Sequence, residues 1–438
     1  MMTAAPIVLL AALSARTVTL EEAERAAETQ KPDVRAAQAA TAAGEARTEQ
    51  ARAPLLPQLK AVGEYDRTTG NRRQRPNRPT PVSNSWTFYN WFEGQVTADQ
   101  LLWDFWQTPN RWRAAEMHAV ALRDSERATR LEAVGVVRAA YFRARAAKAM
   151  IGVAQQTLTN LERHLVQITG FVQAGTRPEI DLAQARAGTA NARVGVIRAE
   201  NDYTVARAEL NQAMGTTGDT DYDVTDESFA PVPGETGGIS ALIDEAIRAR
   251  PDVAALQAQV RAQELTASAA RGAYWPTLHA IAGARDEGQS FQQTPTSDYL
   301  GNPILNGGMA WNVWFGVQLN WALFQGLQTR GQVREADAQL DVARADRDRV
   351  VQEVWVAVQR AASSVRAAQA AVTAAEEALT AARERLRLAD GRYAAGVGSI
   401  IELSDAELGA ANAGAQRVSA DYALATARAA LVLALGRR

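Results

Sequence analysis

One stretch of the chain repeats apolar and small residues at alternating spacings of three and four without interruption. Its positions are Val351, Val354, Val358, Ala361, Val365, Ala368, Val372, Ala375, Leu379, Ala382, Leu386, Ala389 and Tyr393. This spacing predicts a heptad seam on one long helix. The helix, predicted from about Arg334 to Tyr393, has roughly 60 residues and is therefore about 90 Å long. That length exceeds a small globular domain, so the seam predicts a coiled coil rather than a cofactor site.

A second helix with the same spacing follows after a short turn that contains glycine. Its seam positions are Leu403, Ala406, Ala410, Ala413, Arg417, Ala420, Leu424, Ala427, Leu431 and Ala434. The first half of the chain has a similar, shorter seam at Leu158, Leu161, Leu165, Ile168 and Val172. Alanine at alternate positions allows two helices to approach closely, so each half is predicted to form a long helical hairpin.

The two halves are an internal duplication of roughly 200 residues, a period too long for a solenoid. KPDVRAAQAATAAGEARTEQARAPLLPQL begins at Lys31, and RPDVAALQAQVRAQELTASAARGAYWPTL begins at Arg250. FVQAGTRPEIDLAQA, from Phe171, matches YAAGVGSIIELSDAE, from Tyr393. We therefore predict a first repeat over 16–220, a linker rich in Pro, Gly and acidic residues over 221–238, and a second repeat over 239–438.

Two pairs of strands are predicted, one pair in each repeat. Residues 309–324 read MAWNVWFGVQLNWALF, in which apolar side chains alternate with polar or small ones, as in a strand with one dry face. Residues 85–103 alternate in the same way, and weaker partners lie near residues 59–67 and 278–287. Long polar loops and aromatic faces favour an outer-membrane β-barrel, with a soluble β-sandwich as the alternative. Because four strands cannot close a barrel, several chains must share one.

Composition excludes several kinds of site. The chain has no cysteine, which removes disulfides, thiol catalysis and a lipidated N-terminal cysteine. A net charge of −2 gives no basic footprint for nucleic acid. His118, His164 and His279 are not at metal-ligand spacing, so each is interpreted as a surface or packed side chain. We expect no metal, no cofactor and no enzymatic activity, because no nucleophile or phosphate-loop motif is present.

The first residues, MMTAAPIVLLAALSAR, contain an apolar stretch followed by small residues. This pattern is typical of the core and cleavage region of a secretory signal, although the basic segment that usually precedes it is missing. Residues 1–15 are therefore interpreted as a signal-peptide remnant, with a frayed N-terminus as the alternative.

The duplication, the RPDV…YWPTL segments, LFQG at residues 323–326 and RYAAGVGSIIELSDAE from Arg392 resemble the TolC-type outer-membrane efflux duct family. In the first repeat LLWDF stands where the motif would have LFQG. The resemblance covers nearly the whole chain. It implies a mainly α fold with membrane β: an antiparallel coiled-coil α-barrel in the periplasm, and four strands from each chain in a shared 12-stranded β-barrel. It also implies a homotrimer in outer-membrane lipid, which passively carries substrates delivered by an inner-membrane pump and a periplasmic adaptor in efflux or type I secretion.

The resemblance also implies specific residues at the periplasmic tip. An acidic ring six and nine positions after the tip glycine corresponds to Glu402 and Asp405, and in the first repeat to Asp181, with Gln184 in the ninth position. The gate tyrosine corresponds to Tyr393, which Phe171 matches in the first repeat. The tip turns, expected to contact the adaptor, contain Gly175, Gly396 and Gly398. Gly398 stands where the family often has arginine.

Like charges around a narrow pore bind cations, repel anions and repel one another, whatever the family. The alternative for Glu402 and Asp405 is an ordinary solvated helix start, which acidic residues favour. The alternative for the whole protein is a periplasmic coiled-coil adaptor or scaffold without a membrane barrel. Adaptors usually have one hairpin per chain, so the duplicated hairpins favour the duct.

Overall fold

A computed structural model describes residues 16–69, 88–218, 221–297 and 303–438. The predicted signal remnant at residues 1–15 and most of the predicted loop at 69–85 lie outside the described residues, as do 298–302 of the second loop. The described part of the chain falls into two compact units, and each unit contains segments of both repeats.

The described residues form eight α-helices and six strands. The helices are α1 (Leu20–Gln30), α2 (Pro32–Arg52), α3 (Gln107–Gln173), α4 (Glu179–Met214), α5 (Ile239–Ala249), α6 (Pro251–Gly272), α7 (Gln328–Ala394) and α8 (Ile400–Ala434). The strands are β1 (Arg16–Val18), β2 (Gln58–Thr69), β3 (Phe88–Trp103), β4 (Tyr222–Val224), β5 (Thr277–Ser297) and β6 (Pro303–Asn320). The mainly helical fold is confirmed, and each half of the chain has two short helices, two strands and two long helices in the same order. The predicted long helix extends further than expected in the N-terminal direction, since α7 has 67 residues.

The first unit comprises Met1–Thr41, Ala121–Gln257 and Asp346–Arg438, and its core is the coiled coil. No position of the predicted seams on α7 and α8 is exposed within this unit. Val358, Val365 and Leu431 are completely buried. The heptad spacing therefore identified correctly which face of each helix packs inward, because seam residues share one helix face.

A two-stranded parallel sheet in the first unit was not predicted. β1 pairs with β4 in the register Arg16 with Tyr222 and Val18 with Val224. β4 lies inside the segment predicted as a linker. Three-residue strands are too short to show an alternating pattern, and their partners are far apart in sequence.

The rest of the predicted linker is anchored by a buried ion pair. The guanidinium of Arg428 on α8 donates to both carboxylate oxygens of Glu235, at 3.0 and 3.2 Å. Gln369 of α7 donates to the same carboxylate at 2.8 Å. Burial raises the pKa of Glu235, but the hydrogen bonds and the charge of Arg428 outweigh it, so the pKa of this carboxyl is lowered. The charge is therefore retained in a buried position because it is fully paired.

The second unit comprises Ala42–Val120 and Ala258–Ala345, and it contains an antiparallel sheet in the order β2-β3-β5-β6. One face of β6 carries Trp311, Val313, Phe315, Val317 and Leu319, all more than 60 % exposed. The opposite face carries Asn312, Trp314, Gly316, Gln318 and Asn320. The predicted alternation is thus confirmed, but the strand ends at Asn320 rather than at residue 324.

The register places like faces of neighbouring strands together. Val317 pairs with Ala280 of β5, and Phe315 pairs with Ala282, so the apolar face is continuous between these strands. On the other face the ring of Trp314 covers Gly283, where any side chain would collide with it. The sheet therefore has one exposed apolar face and one largely polar face.

An aromatic cluster lies at the end of the sheet where the long helices begin. Trp103 lies 6.0 Å from Phe105 and 5.7 Å from Trp106, measured between ring centroids, and Phe105 stacks on Trp275 at 5.2 Å. Phe105 and Trp106 adopt positive φ angles of 51° and 66°. The corresponding turn of the second repeat also has positive φ angles, 60° at Gly326 and 70° at Leu327, so the first repeat keeps the turn although it lacks the LFQG glycine.

Candidate gate at the helical tips

Each long hairpin of the first unit turns at a glycine in the left-handed region. Gly175, between α3 and α4, has a φ of 73°, and Gly396, between α7 and α8, has a φ of 79°. The Gly175 N–H donates to the carbonyl of Val172 at 3.0 Å, and the Gly396 N–H donates to that of Tyr393 at 3.1 Å. Glycine is favoured here because a side chain would strain a positive φ.

These matching hydrogen bonds correct one sequence correspondence. The structural equivalent of Tyr393 in the first repeat is Val172, because both accept the hydrogen bond from the turn glycine. Phe171, which the sequence comparison matched with Tyr393, lies one residue earlier and is equivalent to Arg392. The two aromatic residues are therefore not equivalent, because Phe171 lies four residues before Gly175 and Tyr393 lies three residues before Gly396.

Tyr393 connects the two tips of the chain. Its side chain is only 3 % exposed, and its hydroxyl donates to Oδ2 of Asp181 at 3.0 Å. Asp181 lies in the first turn of α4 and is itself 5 % exposed. Burial, together with the hydrogen bond to the Asp181 carboxylate, raises the pKa of Tyr393 to about 12. The tyrosine is therefore neutral at physiological pH and acts as a hydrogen-bond donor between the repeats.

Arg177 contacts the same tyrosine from another side. Its Nη2 donates to the main-chain carbonyl of Tyr393 at 2.8 Å, and its guanidinium carbon lies 4.3 Å from the centroid of the tyrosine ring. Phe171 adds an edge-to-face contact with the ring, at 6.4 Å between centroids. The first repeat thus contacts the carbonyl, the ring and the hydroxyl of Tyr393.

An apolar cluster supports this contact. Ile168 of α3 packs with residues of α7 and α8, and the fully or nearly fully buried members of the cluster are Ile168, Ala389, Tyr393, Leu403 and Ala406. Leu403 and Ala406 belong to the seam predicted on α8. Adjacent seam residues therefore hold the two tips together around the tyrosine.

Glu402 and Asp405 lie on the outside of this cluster. Ser399 caps α8 by accepting a hydrogen bond from the Glu402 N–H at 3.1 Å. The Glu402 carboxylate lies 3.2 Å from Nε of Arg392, and both side chains are partly solvent-exposed. Asp405 is exposed. Asp181 is therefore buried against Tyr393, whereas the other two residues of the predicted ring, Glu402 and Asp405, are at least partly exposed.

The three tip glycines and Gln184 differ in exposure. Gly175 and Gly396 are exposed, with open space around the position of a Cβ atom. Gly398 is buried against the end of α7. Gln184 is exposed and lines a cleft of about 300 Å³ together with Ser404 and Glu407.

His164 of α3, predicted as a surface or packed side chain, also belongs to this region. The side chain is buried, its Nδ1 contacts Oε1 of Glu407 on α8, and its Nε2 lies 3.4 Å from Oδ1 of Asp390 on α7. The imidazole therefore bridges two helices of the other repeat. The spacing of 243 residues between His164 and Glu407 leaves no local pattern that would reveal the pair.

The other two histidines lie in the second unit. His118 contacts Gln259 at 3.0 Å, and Nδ1 of His279 lies 2.9 Å from Oδ1 of Asp99. Within the described ranges, no group of three or more His, Asp or Glu side chains is arranged to hold a metal ion. No helix in the described part of the chain combines the length and apolar character needed to cross a membrane.

Comparison with known proteins identifies the family. A family model described as "Outer membrane efflux protein" matches residues 24–216 and 242–437, one match in each repeat. The toluene efflux pump outer membrane protein TtgI of Pseudomonas putida is 24 % identical over 347 residues, which cover 77 % of this chain and 69 % of TtgI. The outer membrane protein OprJ of Pseudomonas aeruginosa is 25 % identical over 365 residues, covering 81 % and 71 % of the two chains.

Solved structures share the fold. CusC superposes with a TM-score of 0.80 at 18 % identity, covering 96 % of this chain and 92 % of CusC. The outer membrane protein VceC of Vibrio cholerae gives a TM-score of 0.78 at 18 % identity, covering 95 % and 96 %. These matches favour the duct over the periplasmic adaptor that the sequence left open. The chain belongs to the outer membrane efflux protein family, and it has the fold of the TolC-like channels that cross the outer membrane and extend helical tunnels into the periplasm.

Proposed function

We propose that this chain is one subunit of a homotrimeric, passive exit duct that works with a periplasmic adaptor and an inner-membrane pump. The observation that carries the proposal is the incomplete sheet of the second unit. In the described residues β2 and β6 each have one strand neighbour, so each has one open edge.

Open edges are not tolerated in lipid, because unpaired backbone groups have no water to bind there. Membrane barrels need at least about eight strands, so a four-stranded sheet has to be completed by other copies. Three copies supply twelve strands, and each β6 then pairs with the β2 of a neighbouring copy. The exposed apolar face, with Trp311 at 80 % and Phe315 at 89 % exposure, suits contact with lipid.

The aromatic cluster supports the same placement. Trp103, Trp106 and Trp275 are each about half exposed at one end of the sheet. Tryptophan is enriched where membrane meets water, because its ring is apolar and its N–H is polar. This end of the sheet is therefore proposed to mark the periplasmic boundary of the membrane.

The tip of the duct is proposed to be its gate. Glu402 and Asp405, repeated in three copies, would form an acidic ring that binds cations and disfavours anions. The hydrogen bond between Tyr393 and Asp181 would keep the two hairpin tips of each copy together when the duct is closed. Mutual repulsion among the carboxylates would oppose closure, so the gate is held shut by contacts such as this hydrogen bond.

Disulfide cross-linking tests the shared barrel. Because the sequence has no native cysteine, only the introduced cysteines can form disulfides. Each variant chain would carry two cysteines. One replaces Leu59, Ala61 or Gly63 of β2, and the other replaces Val313, Phe315 or Val317 of β6. At least one combination should give a covalent trimer in the oxidised membrane fraction, because neighbouring strands bring Cβ atoms close enough for a disulfide.

The matched control places both cysteines within one chain. Ala61 of β2 lies opposite Val96 of β3, so the Ala61→Cys/Val96→Cys protein should oxidise and yet remain a monomer on a denaturing gel. If the control pair oxidises and no β2–β6 combination gives dimers or trimers, the shared barrel is contradicted.

The proposed adaptor contact involves the exposed tips. Gly175 and Gly396 leave main chain accessible at the two turns, and Val397 beside them is 70 % exposed. A cysteine carrying a photo-cross-linker at position 397 should capture the adaptor in cells. A cysteine at Val166, which is 73 % exposed on α3 but further from the turn, should capture much less. Equal capture from both positions would contradict docking at the tips.

A further inference from the structure

The turn of the second tip has no room for an arginine. Gly398 is buried, and a Cβ atom at this position would lie 2.9 Å from the main-chain nitrogen of Tyr393 and 3.0 Å from the carbonyl carbon of Arg392. Both contacts are with backbone, so they cannot be relieved by moving a flexible side chain. The cation expected two residues after the turn glycine is therefore excluded from the second repeat by the packing of its own turn.

The equivalent position of the first repeat does carry an arginine. Arg177 lies two residues after Gly175, just as Gly398 lies two residues after Gly396. Its side chain crosses to the other tip and donates to the carbonyl of Tyr393 at 2.8 Å, and it covers the tyrosine ring at 4.3 Å. The cation is thus supplied to the second tip by the first.

This position gives Arg177 three favourable interactions at once. The Tyr393 carbonyl belongs to the last turn of α7, where the helix dipole favours a positive charge. The hydrogen bond is charge-assisted, and the guanidinium lies over an aromatic ring that is removed from water. Because Arg177 holds the main chain and ring of Tyr393, it sets where the hydroxyl meets Asp181, four residues further along its own segment.

We propose that Arg177 is a positioning residue of the gate, which holds the second tip closed by fixing Tyr393 against Asp181. The proposal rests on the tip being the gate. The arginine that closes the second tip then belongs to the first repeat. The closed state depends on contact between the repeats rather than on contacts within either turn.

Single-channel recording in planar bilayers tests this role with Arg177→Ala. Loss of the charge-assisted hydrogen bond should raise the ratio of open to closed dwell times about tenfold. Arg177→Lys keeps the charge but lacks the planar face, so its ratio should lie between those of Arg177→Ala and the natural protein. Ion selectivity should not change, because the acidic residues remain.

The control variant is Arg163→Ala. Arg163 is exposed on α3, and its described hydrogen bond is with Asn160 of the same helix, at 3.4 Å. The Arg163→Ala substitution removes one positive charge from α3 and leaves the contacts of Tyr393 intact, so the dwell-time ratio should stay at the natural value. An equal increase in Arg163→Ala and Arg177→Ala would overturn the proposal, since general loss of charge would then explain both.

Two further variants separate positioning from general stabilisation. In a Tyr393→Phe background, where no hydroxyl remains to be placed, Arg177→Ala should add much less than it does alone. Moving the arginine with Arg177→Gly/Gly398→Arg should not restore closure, because the backbone around position 398 excludes a side chain. Full additivity in the first experiment, or full restoration in the second, would overturn the positioning role.

The outcome also distinguishes this proposal from the proposed function. If the natural protein forms no channels, the duct itself is contradicted. If it forms channels with a narrow, closed resting state and Arg177→Ala gates as the natural protein does, the duct stands and the role of Arg177 is overturned.

Discussion

The two hairpin tips have a common turn but different chemistry. Both turn on a left-handed glycine with the same main-chain hydrogen bonds. The first tip places a buried acceptor, Asp181, and a cation, Arg177, towards its partner, whereas the second presents a buried tyrosine between them. Six positions after its glycine, the second tip has the partly exposed Glu402 where the first has buried Asp181. Duplication therefore produced two equivalent scaffolds whose side chains have become complementary.

The contact between the tips needs one residue from each of them. Tyr393 belongs to the second repeat and Asp181 to the first, so this hydrogen bond joins the two repeats. Val172, the structural equivalent of Tyr393, has no hydroxyl to donate. The contact between Tyr393 and Asp181 and the more exposed acids Glu402 and Asp405 depend on different carboxylates, so substitutions should affect them separately.

The largest expected effect comes from removing the buried acceptor with Asp181→Ala. The Tyr393 hydroxyl would be left buried without its partner, which costs about 2 kcal/mol and corresponds to a roughly 30-fold increase in the open population of the tips. Limited proteolysis measures this population, because trypsin can cleave after Arg392 only when its carbonyl is released from the N–H groups of Val397 and Gly398.

The matched variant at the equivalent position of the second repeat is Glu402→Ala. Its carboxylate is partly exposed and pairs with Arg392 near solvent, so its loss should change the cleavage rate by less than about fivefold. If Glu402→Ala accelerates cleavage as much as Asp181→Ala does, the division of roles between the two tips is wrong.

Alkaline pH should open the tips to a smaller extent. The pKa of Tyr393 is about 12 when its buried hydroxyl is bonded to Asp181, against an ordinary value of 10.0, because burial and this bond favour the neutral form. The stabilisation is therefore complete below pH 10 and is lost as the pH rises through 12. At pH 11 the open population should be about tenfold larger than at pH 9. The accessibility of a spin label at position 397, measured by electron paramagnetic resonance, would follow the change.

Tyr393→Phe is the control for this pH dependence. The variant has no hydroxyl to ionise at position 393, so its tips should be more open at pH 9 and should not open further between pH 10 and 12. An unchanged alkaline transition in Tyr393→Phe would show that another group controls it.

The smallest effect concerns the helix starts that follow the turns. Ser399 caps α8 through its side chain, whereas Pro178 begins α4 without a side-chain cap. Ser399→Ala should destabilise the first turn of α8 by about 1 kcal/mol, measured as faster amide hydrogen exchange at Glu402. Pro178→Ala removes no capping hydrogen bond, and exchange at the first turn of α4 should change less. Equal changes would contradict the assigned caps.

The sequence predicted the parts of this fold that depend on regular spacing. The seam of α7 is predictable residue by residue because each core contact recurs every three or four residues. The faces of β6 followed from simple alternation, although Trp321 continued that alternation beyond the end of the strand. Tyr393 and the acidic positions came from family resemblance rather than from a physical pattern.

Contacts between distant segments were not predictable in this way. The β1–β4 pairing, the bridge from His164 to Glu407 and the contact of Arg177 with Tyr393 each join residues about 200 or more positions apart. Each depends on one or a few side chains, so no periodicity accompanies it. Arg177 was visible as a basic residue at the offset where the second repeat has Gly398, but the crossing of its side chain required the folded geometry.

The most direct test of the division between the tips is single-channel recording of Asp181→Asn beside Glu402→Gln/Asp405→Asn, on detergent-extracted protein in planar bilayers. The natural protein should give a small, cation-selective conductance. Asp181→Asn should lengthen the open dwell times and keep the selectivity, whereas the double variant should lose cation selectivity. Loss of selectivity in Asp181→Asn, or unchanged selectivity in Glu402→Gln/Asp405→Asn, would contradict the account.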